Sequence, residues 1–349
     1  MNTQTTNSET QFEKLVDQLV FQQLEYFVRF TGRAETLIDA CANVVCKGTQ
    51  QLKGVKFPIC LVVEALRSSQ SVITAFNTTA LQEELLEYLN KSYEASSFNY
   101  FDKPYLPNDL DTASALTRLL SYRNRGLVAA YEEFVNRNTI SENIVPTWLD
   151  TPDYERWFVG PRPYHLDVLL NHWLTELGLG KRVNPSVVLC TVNTLGLQNY
   201  WYLPPLYTPY LYCRLLSQLG LNREEVFLAP LIRIVEKFEH DPPGYMQESN
   251  VAPFTKMKAL VEEQSLSDNL NIILEQALRI FLAKQTNSFS FAAYEEAMTG
   301  LFEQGWHTPL YWSLGFTAFS SEPVNRAVAL SCLLETKMIG VHDDHIIRA

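Results

Sequence analysis

The sequence predicts an all-α protein. Three observations carry that prediction. Apolar residues recur at helical spacing along nearly the whole chain, helix boundaries carry capping chemistry, and no stretch shows the strict alternation of a half-buried strand.

The spacing comes first. Between Phe12 and Phe30, Leu15, Leu19, Val20, Leu24 and Phe27 fall on one helical face. Similar patterns predict helices over residues 33–48, 58–75, 78–95, 110–136, 163–179, 185–196, 209–219, 222–239, 267–285, 290–303 and 323–338. About twelve helices with short breaks imply paired helices, arranged as a bundle or a toroid.

The boundaries agree with the spacing. Asn184-Pro185 and Thr208-Pro209 each place a capping side chain before a proline suited to a first helical position. Gly178, Gly180 and Gly220 supply stops. Residues 1–10 are polar and are expected to be disordered, and residues 11–349 are expected to form one domain, since no linker divides them. The looser segments, 97–108, 138–162, 198–208, 240–253 and 304–321, are rich in Pro, Tyr and Trp. Such loops line or pack against something, unlike Gly/Ser linkers.

Composition narrows the function. The net charge is −11, and no basic stripe is present to meet a phosphate backbone, so nucleic acid is excluded as a partner. The same charge opposes electrostatic docking on anionic lipid. No run of apolar residues is long enough to span a bilayer, and the polar start is no signal peptide. The six cysteines form no CxxC pair and lie in apolar stretches, so they are expected to be buried free thiols in a reducing cytoplasm.

The strongest local signal is Pro107-Asn108-Asp109-Leu110-Asp111-Thr112-Ala113-Ser114. Two carboxylates stand two residues apart where a loop enters a helix. Asn108 or Asp109 can cap that helix, and an acidic first turn suits the dipole. The same pair can do chemistry. Two close carboxyls in a dry place do not both ionise, so one keeps its proton at neutral pH. The helix N-terminus and the Thr112 and Ser114 hydroxyls can then stabilise the anion left after proton transfer.

Asp109-Leu-Asp111-Thr-Ala-Ser resembles the Asp-x-Asp-Asp-Thr-Ala acid motif of class II terpene cyclases, and is closer to the Asp-x-Asp-Thr-Thr/Ser form of some bacterial members. The resemblance makes Asp111 the proton donor and Asp109 its partner carboxylate. Thr112 stands where many relatives carry a third aspartate. Asp167-Val-Leu-Leu-Asn171 matches the downstream Asp-x-x-x-His/Asn helix of the family, which makes Asn171 the residue that orients the acid. Trp201-Tyr-Leu-Pro-Pro-Leu-Tyr207-Thr-Pro-Tyr210, Pro146-Thr-Trp148-Leu-Asp150 and Trp306-His-Thr-Pro-Leu-Tyr311-Trp312-Ser-Leu-Gly-Phe316 resemble the family's aromatic segments. The matches span roughly residues 100–335. They imply a single (α/α)6 barrel, without metal or cofactor, that accepts an isoprenoid small molecule.

That chemistry explains the aromatic content. Protonating an alkene creates a carbocation that water would quench, so the site must be dry. Aromatic faces stabilise a cation without bonding to it, by about 0.5–2 kcal/mol each. Trp157, Trp201, Tyr207, Tyr311, Trp312 and Phe316 are the candidates, with core packing as their other role.

The metal-dependent route lacks its motifs. No Asp-Asp-x-x-Asp occurs, since Asp343-Asp344 runs into His345-Ile-Ile, and the pattern beginning at Asn287 fails at Tyr294. The tail His342-Asp-Asp-His345 reads as solvated polar residues rather than a metal site. Most family members join two barrels. This length fits one, as in single-domain cyanobacterial members, which implies a geranylgeranyl-bearing dihydroxybenzoate as substrate and meroterpenoid products. Arg123, Arg125, Arg162 and Arg214 are possible head-group partners or surface ion pairs. Two other readings are a cyclase of a free prenyl diphosphate and a non-catalytic helical toroid that binds a partner or lipid. So greasy a substrate partitions into bilayers, which makes peripheral membrane contact part of the expectation.

Overall fold

A computed structural model describes residues 17, 20–47, 50–70, 76–96, 98–99, 108–124, 126–138, 174–179, 183–195, 207–221, 321–324, 326–331 and 333–334. These residues are mostly helical. The expectations for residues 1–10, 222–239, 267–285 and 290–303 lie outside them.

Residues 20–28 form α1, which buries Val20, Leu24 and Phe27, the stripe read from the sequence. α2 (Ala34–Cys41) buries Ala34, Leu37, Ile38 and Cys41. Here the structure corrects the sequence reading. The helix expected over 33–48 stops at Cys41, and β1 (Asn43–Lys47) and β2 (Gln50–Gly54) pair as an antiparallel hairpin from Asn43↔Gly54 to Lys47↔Gln50. The β-branched Val44-Val45 pair favours extended backbone, and strands of five residues are too short to show alternation.

α3 (Lys56–Gln70) and α4 (Thr79–Ser96) start within two residues of the expected spans 58–75 and 78–95, and residues 71–75 lie outside the described residues. Gln82 ties them, its Nε2 donating to the Leu66 carbonyl at 3.1 Å and to Thr78 Oγ1 at 2.8 Å. The single helix expected over 110–136 is two, α5 (Leu110–Leu120) and α6 (Gly126–Asn138). The break falls at Asn124, whose Oδ1 accepts from the Gly126 N–H at 3.1 Å and so starts a new helix. α3 packs most extensively on α5.

Beyond them, a short π-type turn spans Thr175–Leu179, followed by α7 (Pro185–Leu195) and α8 (Tyr207–Gln218). Asn184 caps α7, accepting from the Ser186 N–H at 3.0 Å, with Pro185 in the first position as read. At α8 the reading was late. The helix opens at Tyr207, so Thr208 is not its cap, and Pro209 sits in the first turn, where its missing N–H costs nothing. Gly178 and Gly220 take the left-handed conformation at φ +78° and +69°. At Gly220 the Leu221 N–H reaches back to the Leu216 carbonyl at 2.8 Å, a Schellman closure.

Residues 321–334 return to the start of the chain. Ser321 Oγ donates to the Ala40 carbonyl at 3.1 Å, and Arg326 donates to Gln23 at 3.1 Å while lying 4.4 Å over the Tyr26 ring. One buried apolar cluster runs from Val20 to Leu334. Among the described residues no helix is long and apolar enough to cross a membrane.

Candidate active site

The acid motif forms the buried start of α5. Asp109 is extended (φ −121°, ψ 145°) and is the N-cap: its Oδ1 accepts from the Thr112 N–H at 2.7 Å. Of the two caps open to the sequence, Asn108 and Asp109, the structure chooses Asp109. A backbone bridge between Asn99 and Asn108, with the Asp109 N–H donating to the Phe98 carbonyl at 3.3 Å, fixes the loop that delivers it. Asp111 follows in the first turn. Asp109 is 1% exposed and Asp111 7%. A plain surface cap would be wet, whereas this one is enclosed.

The walls are apolar and aromatic. Leu110, Ala113, Ala115 and Leu116 bury the rest of α5. Phe98 meets Tyr93 at 5.3 Å, Phe134 at 5.2 Å and Tyr131 at 6.4 Å between ring centroids. Tyr131, on α6, is fully buried and hydrogen-bonded to Ser114 Oγ. Burial pushes its phenol well above the ordinary value. The Ser114 hydrogen bond opposes this, and the charges of Asp111 and Asp109 reinforce it. The phenol therefore stays neutral beside the acid motif. The Thr112 and Thr117 hydroxyls are buried and have no hydrogen-bond partner among the described residues.

A charged layer closes the far side of α5. Arg118 holds Glu64 of α3 with a two-pronged contact, Nη1 to Oε2 at 2.9 Å and Nη2 to Oε1 at 2.7 Å, and also pairs with Glu176. Glu176 in turn accepts from Arg214 at 3.0 Å. Of the arginines proposed as head-group partners, Arg214 is thus engaged with Glu176, and Arg123 pairs with Glu83 and stacks beside Tyr122 at 5.3 Å. For both, ion pairing is the observed role. Arg125 and Arg162 lie outside the described residues.

The structure places Asp109 and Asp111 at one buried helix start. Tyr207 opens α8. Asn171, Trp157, Trp201, Tyr311, Trp312 and Phe316 lie outside the described residues, as does the His342–His345 tail. Cys41 and Cys60 are buried free thiols as expected, but Cys190 is exposed, and Cys46 sits on β1 rather than on a helix. No cluster of three metal-ligating side chains occurs among the described residues.

Sequence reading missed Tyr131 and Lys56. Tyr131 follows an apolar run that gives no hint of a buried hydroxyl. Lys56 gave a signal: it is the lone cation in Val55-Lys-Phe-Pro-Ile-Cys-Leu-Val-Val63, and it is fully buried.

Neither a protein-family model nor a curated protein matches the chain. Two solved structures are similar to it over most of their length. One is a protein from Actinoplanes, 13% identical with a TM-score of 0.46, covering 90% of this chain and 99% of that one. The other is an arginine-to-alanine variant of the type II terpene cyclase MstE from Scytonema in complex with its substrate, geranylgeranyl dihydroxybenzoate. It is 14% identical with a TM-score of 0.48, covering 91% of this chain and 99% of that one. Both superpositions are loose, so the reading of this chain rests on its own residues.

Proposed function

We propose that this chain is a metal-independent class II terpene cyclase, an isomerase of the (α/α)6 type whose substrate is a prenylated aromatic acid such as geranylgeranyl dihydroxybenzoate. The observation that carries the reading is the burial of Asp109 and Asp111 at one helix start, with Asp109 locked as the cap. A carboxylate accepting a backbone N–H at the positive end of a helix is favoured as the anion. Asp111, beside that anion and 7% exposed, is then the carboxyl that keeps a proton.

The reaction follows from that proton. Asp111 gives its hydrogen to the terminal carbon–carbon double bond, and the electron pair of the alkene forms the new C–H bond. The positive charge left on the substituted carbon is attacked by the next alkene along the chain, and further ring closures follow. A base takes a proton at the end, so substrate and product have the same composition. The Asp111 carboxylate is stabilised by the N-terminal amides of α5 and regains a proton before the next turnover. Asn171 orients the acid, and Trp157, Trp201, Tyr207, Tyr311, Trp312 and Phe316 flank the cationic chain.

The return of residues 321–334 to α1 and α2 supports a closed ring of helices. The engagement of Arg123 and Arg214 by carboxylates favours an aromatic head group over a diphosphate. A cytoplasmic enzyme with peripheral membrane contact fits a substrate dissolved in bilayers.

Purified protein is offered geranylgeranyl dihydroxybenzoate and, separately, geranylgeranyl diphosphate, with products followed by mass spectrometry. A cyclised product isobaric with the first substrate is expected. Asp111→Asn should fold normally and lower the rate by about 10²–10⁴-fold, the usual worth of a positioned acid. Turnover of the diphosphate alone would reject the substrate assignment. Cyclisation that survives in Asp111→Asn would reject the mechanism.

A further inference from the structure

Three hydroxyls are fully enclosed where α5 meets α6: Ser114 and Thr117 on α5 and Tyr131 on α6. Their hydrogen bonds do not balance. Ser114 Oγ and Tyr131 Oη share one bond, and among the described residues neither side chain makes another. Two hydroxyls carry two hydrogens, and only one of these lies in the shared bond, so one O–H is left to donate. Thr117 Oγ1 is buried and has no hydrogen-bond partner among the described residues. An enclosed polar group without a partner is costly, and buried hydroxyls are therefore almost always satisfied.

Thr117 has a local way out that it does not take. A helical threonine can donate to the carbonyl four residues back, as Thr191 does to Val187 at 2.8 Å on α7. Thr117 makes no such bond to the Ala113 carbonyl, so its hydroxyl is turned away from its own backbone. Ser114 stands one turn before it on the same side of α5. Side chains three apart on a helix have Cβ atoms about 5–6 Å apart. Two O–H···O bonds of about 2.8 Å, end to end, span the same distance. One oxygen atom between Thr117 and the Ser114–Tyr131 pair therefore reaches both. Ala113 and Ser114, the residues a turn before Thr117, are small and leave room for it.

We propose that Ser114, Thr117 and Tyr131 form an internal water site that joins α5 to α6. The water accepts the surplus O–H of the Ser114–Tyr131 pair and the O–H of Thr117. Its own hydrogens go to carbonyl oxygens, which keep a second lone pair even inside a helix. That gives it the three or so bonds typical of a buried water. All three protein oxygens are enclosed between two packed helices, so the occupant is a water and not the hydroxyl of a larger ligand. Ser114 is one turn after Asp111, and the Tyr131 phenol feels the charges of Asp111 and Asp109, so the site adjoins the acid motif. The water site stands whatever reaction the chain carries out.

Oxygen-17 magnetic relaxation dispersion of the full chain counts waters that stay bound longer than the protein takes to tumble. Thr117→Val keeps the branched shape and removes the hydroxyl. It should lower the count by one and reduce the folded-to-unfolded ratio in urea about fivefold or more. Thr117→Ser keeps the hydroxyl and should keep the count. A crystal structure of the wild type should show a water within hydrogen-bond distance of Thr117 Oγ1 and of Ser114 Oγ or Tyr131 Oη. An unchanged count in Thr117→Val, a Thr117→Val at least as stable as wild type, or a count that falls in Thr117→Ser would overturn the proposal. So would a crystal structure in which Thr117 donates to the Ala113 carbonyl with no water at the pair. Should Thr117→Val fail to fold, the wild-type crystal structure and the Thr117→Ser count decide the matter.

Discussion

The carboxylate of Asp109 accepts the backbone N–H of Thr112 at 2.7 Å, which makes one residue both the cap of α5 and the neighbour of the proposed acid. The two roles separate by substitution. Asparagine caps as well as aspartate but carries no charge, whereas alanine does neither. Asp109→Asn should therefore lie within a few tenths of a kcal/mol of wild type in urea denaturation, and Asp109→Ala should lose about 1 kcal/mol. Both should lose cyclisation. A fully active Asp109→Asn would reduce Asp109 to a cap alone.

The Tyr131–Ser114 hydroxyl pair joins α6 to α5 beside the same motif. Removing one partner strands the other in a dry place, at a cost of about 1–3 kcal/mol, while removing both is milder. Tyr131→Phe and Ser114→Ala should each destabilise in urea melts, and the double variant should cost less than their sum. Strict additivity would mean that the two hydroxyls do not depend on each other.

What the sequence made legible follows from what local pattern can encode. The α1 stripe of Val20, Leu24 and Phe27, the Asn184-Pro185 start and the Gly178 and Gly220 stops are set by neighbours along the chain, and the structure reproduces each. The hairpin at Asn43–Gly54 was missed because Val44-Val45 reads equally as part of a buried helix. The break at Asn124 was missed because a single Asx-type hydrogen bond outweighs continuous apolar spacing. For the site, the Asp109–Asp111 pair was visible as a motif, but its burial was not, since enclosure depends on α3 and α6 packing over it. Tyr131 became legible only when distant helices met.

Alkaline pH should unfold this protein through its buried thiols and phenol. Burial raises Cys41 from 9.0 to about 12, and raises Cys60 and Tyr131 well above their ordinary values. The folded form thus holds protons that the unfolded chain releases. Their stabilising contribution is complete below the unfolded values, 9.0 for the thiols and 10.0 for the phenol, and is lost as pH rises through the folded ones. Each group adds a slope of at most about 1.4 kcal/mol per pH unit. Urea midpoints should therefore fall steadily above about pH 9. Cys41→Val, which keeps the volume and removes the titration, should decline less steeply. An identical slope in the variant would show that Cys41 ionises without unfolding.

The last prediction concerns the ion network that sets α3 against α5. Arg118 is the only described link joining Glu64 to Glu176, and its side chain is 17% exposed against 27% and 23% for the two carboxylates. With so little solvent to screen it, removing the cation takes from Glu64 its two-pronged partner, while Glu176 keeps Arg214. Arg118→Met should cost about 3 kcal/mol, near the lower end for a broken buried pair because some solvent remains. Arg118→Lys should recover only part of that, because an ammonium cannot make the two-pronged contact with Glu64 while reaching Glu176. Glu64→Gln should be milder than Arg118→Met, since Arg118 still has Glu176. Urea denaturation of the three variants gives the order directly. If Arg118→Met proved neutral, the level of α3 against α5 would have to be set by apolar packing alone, through residues such as Val62, Val63 and Leu116.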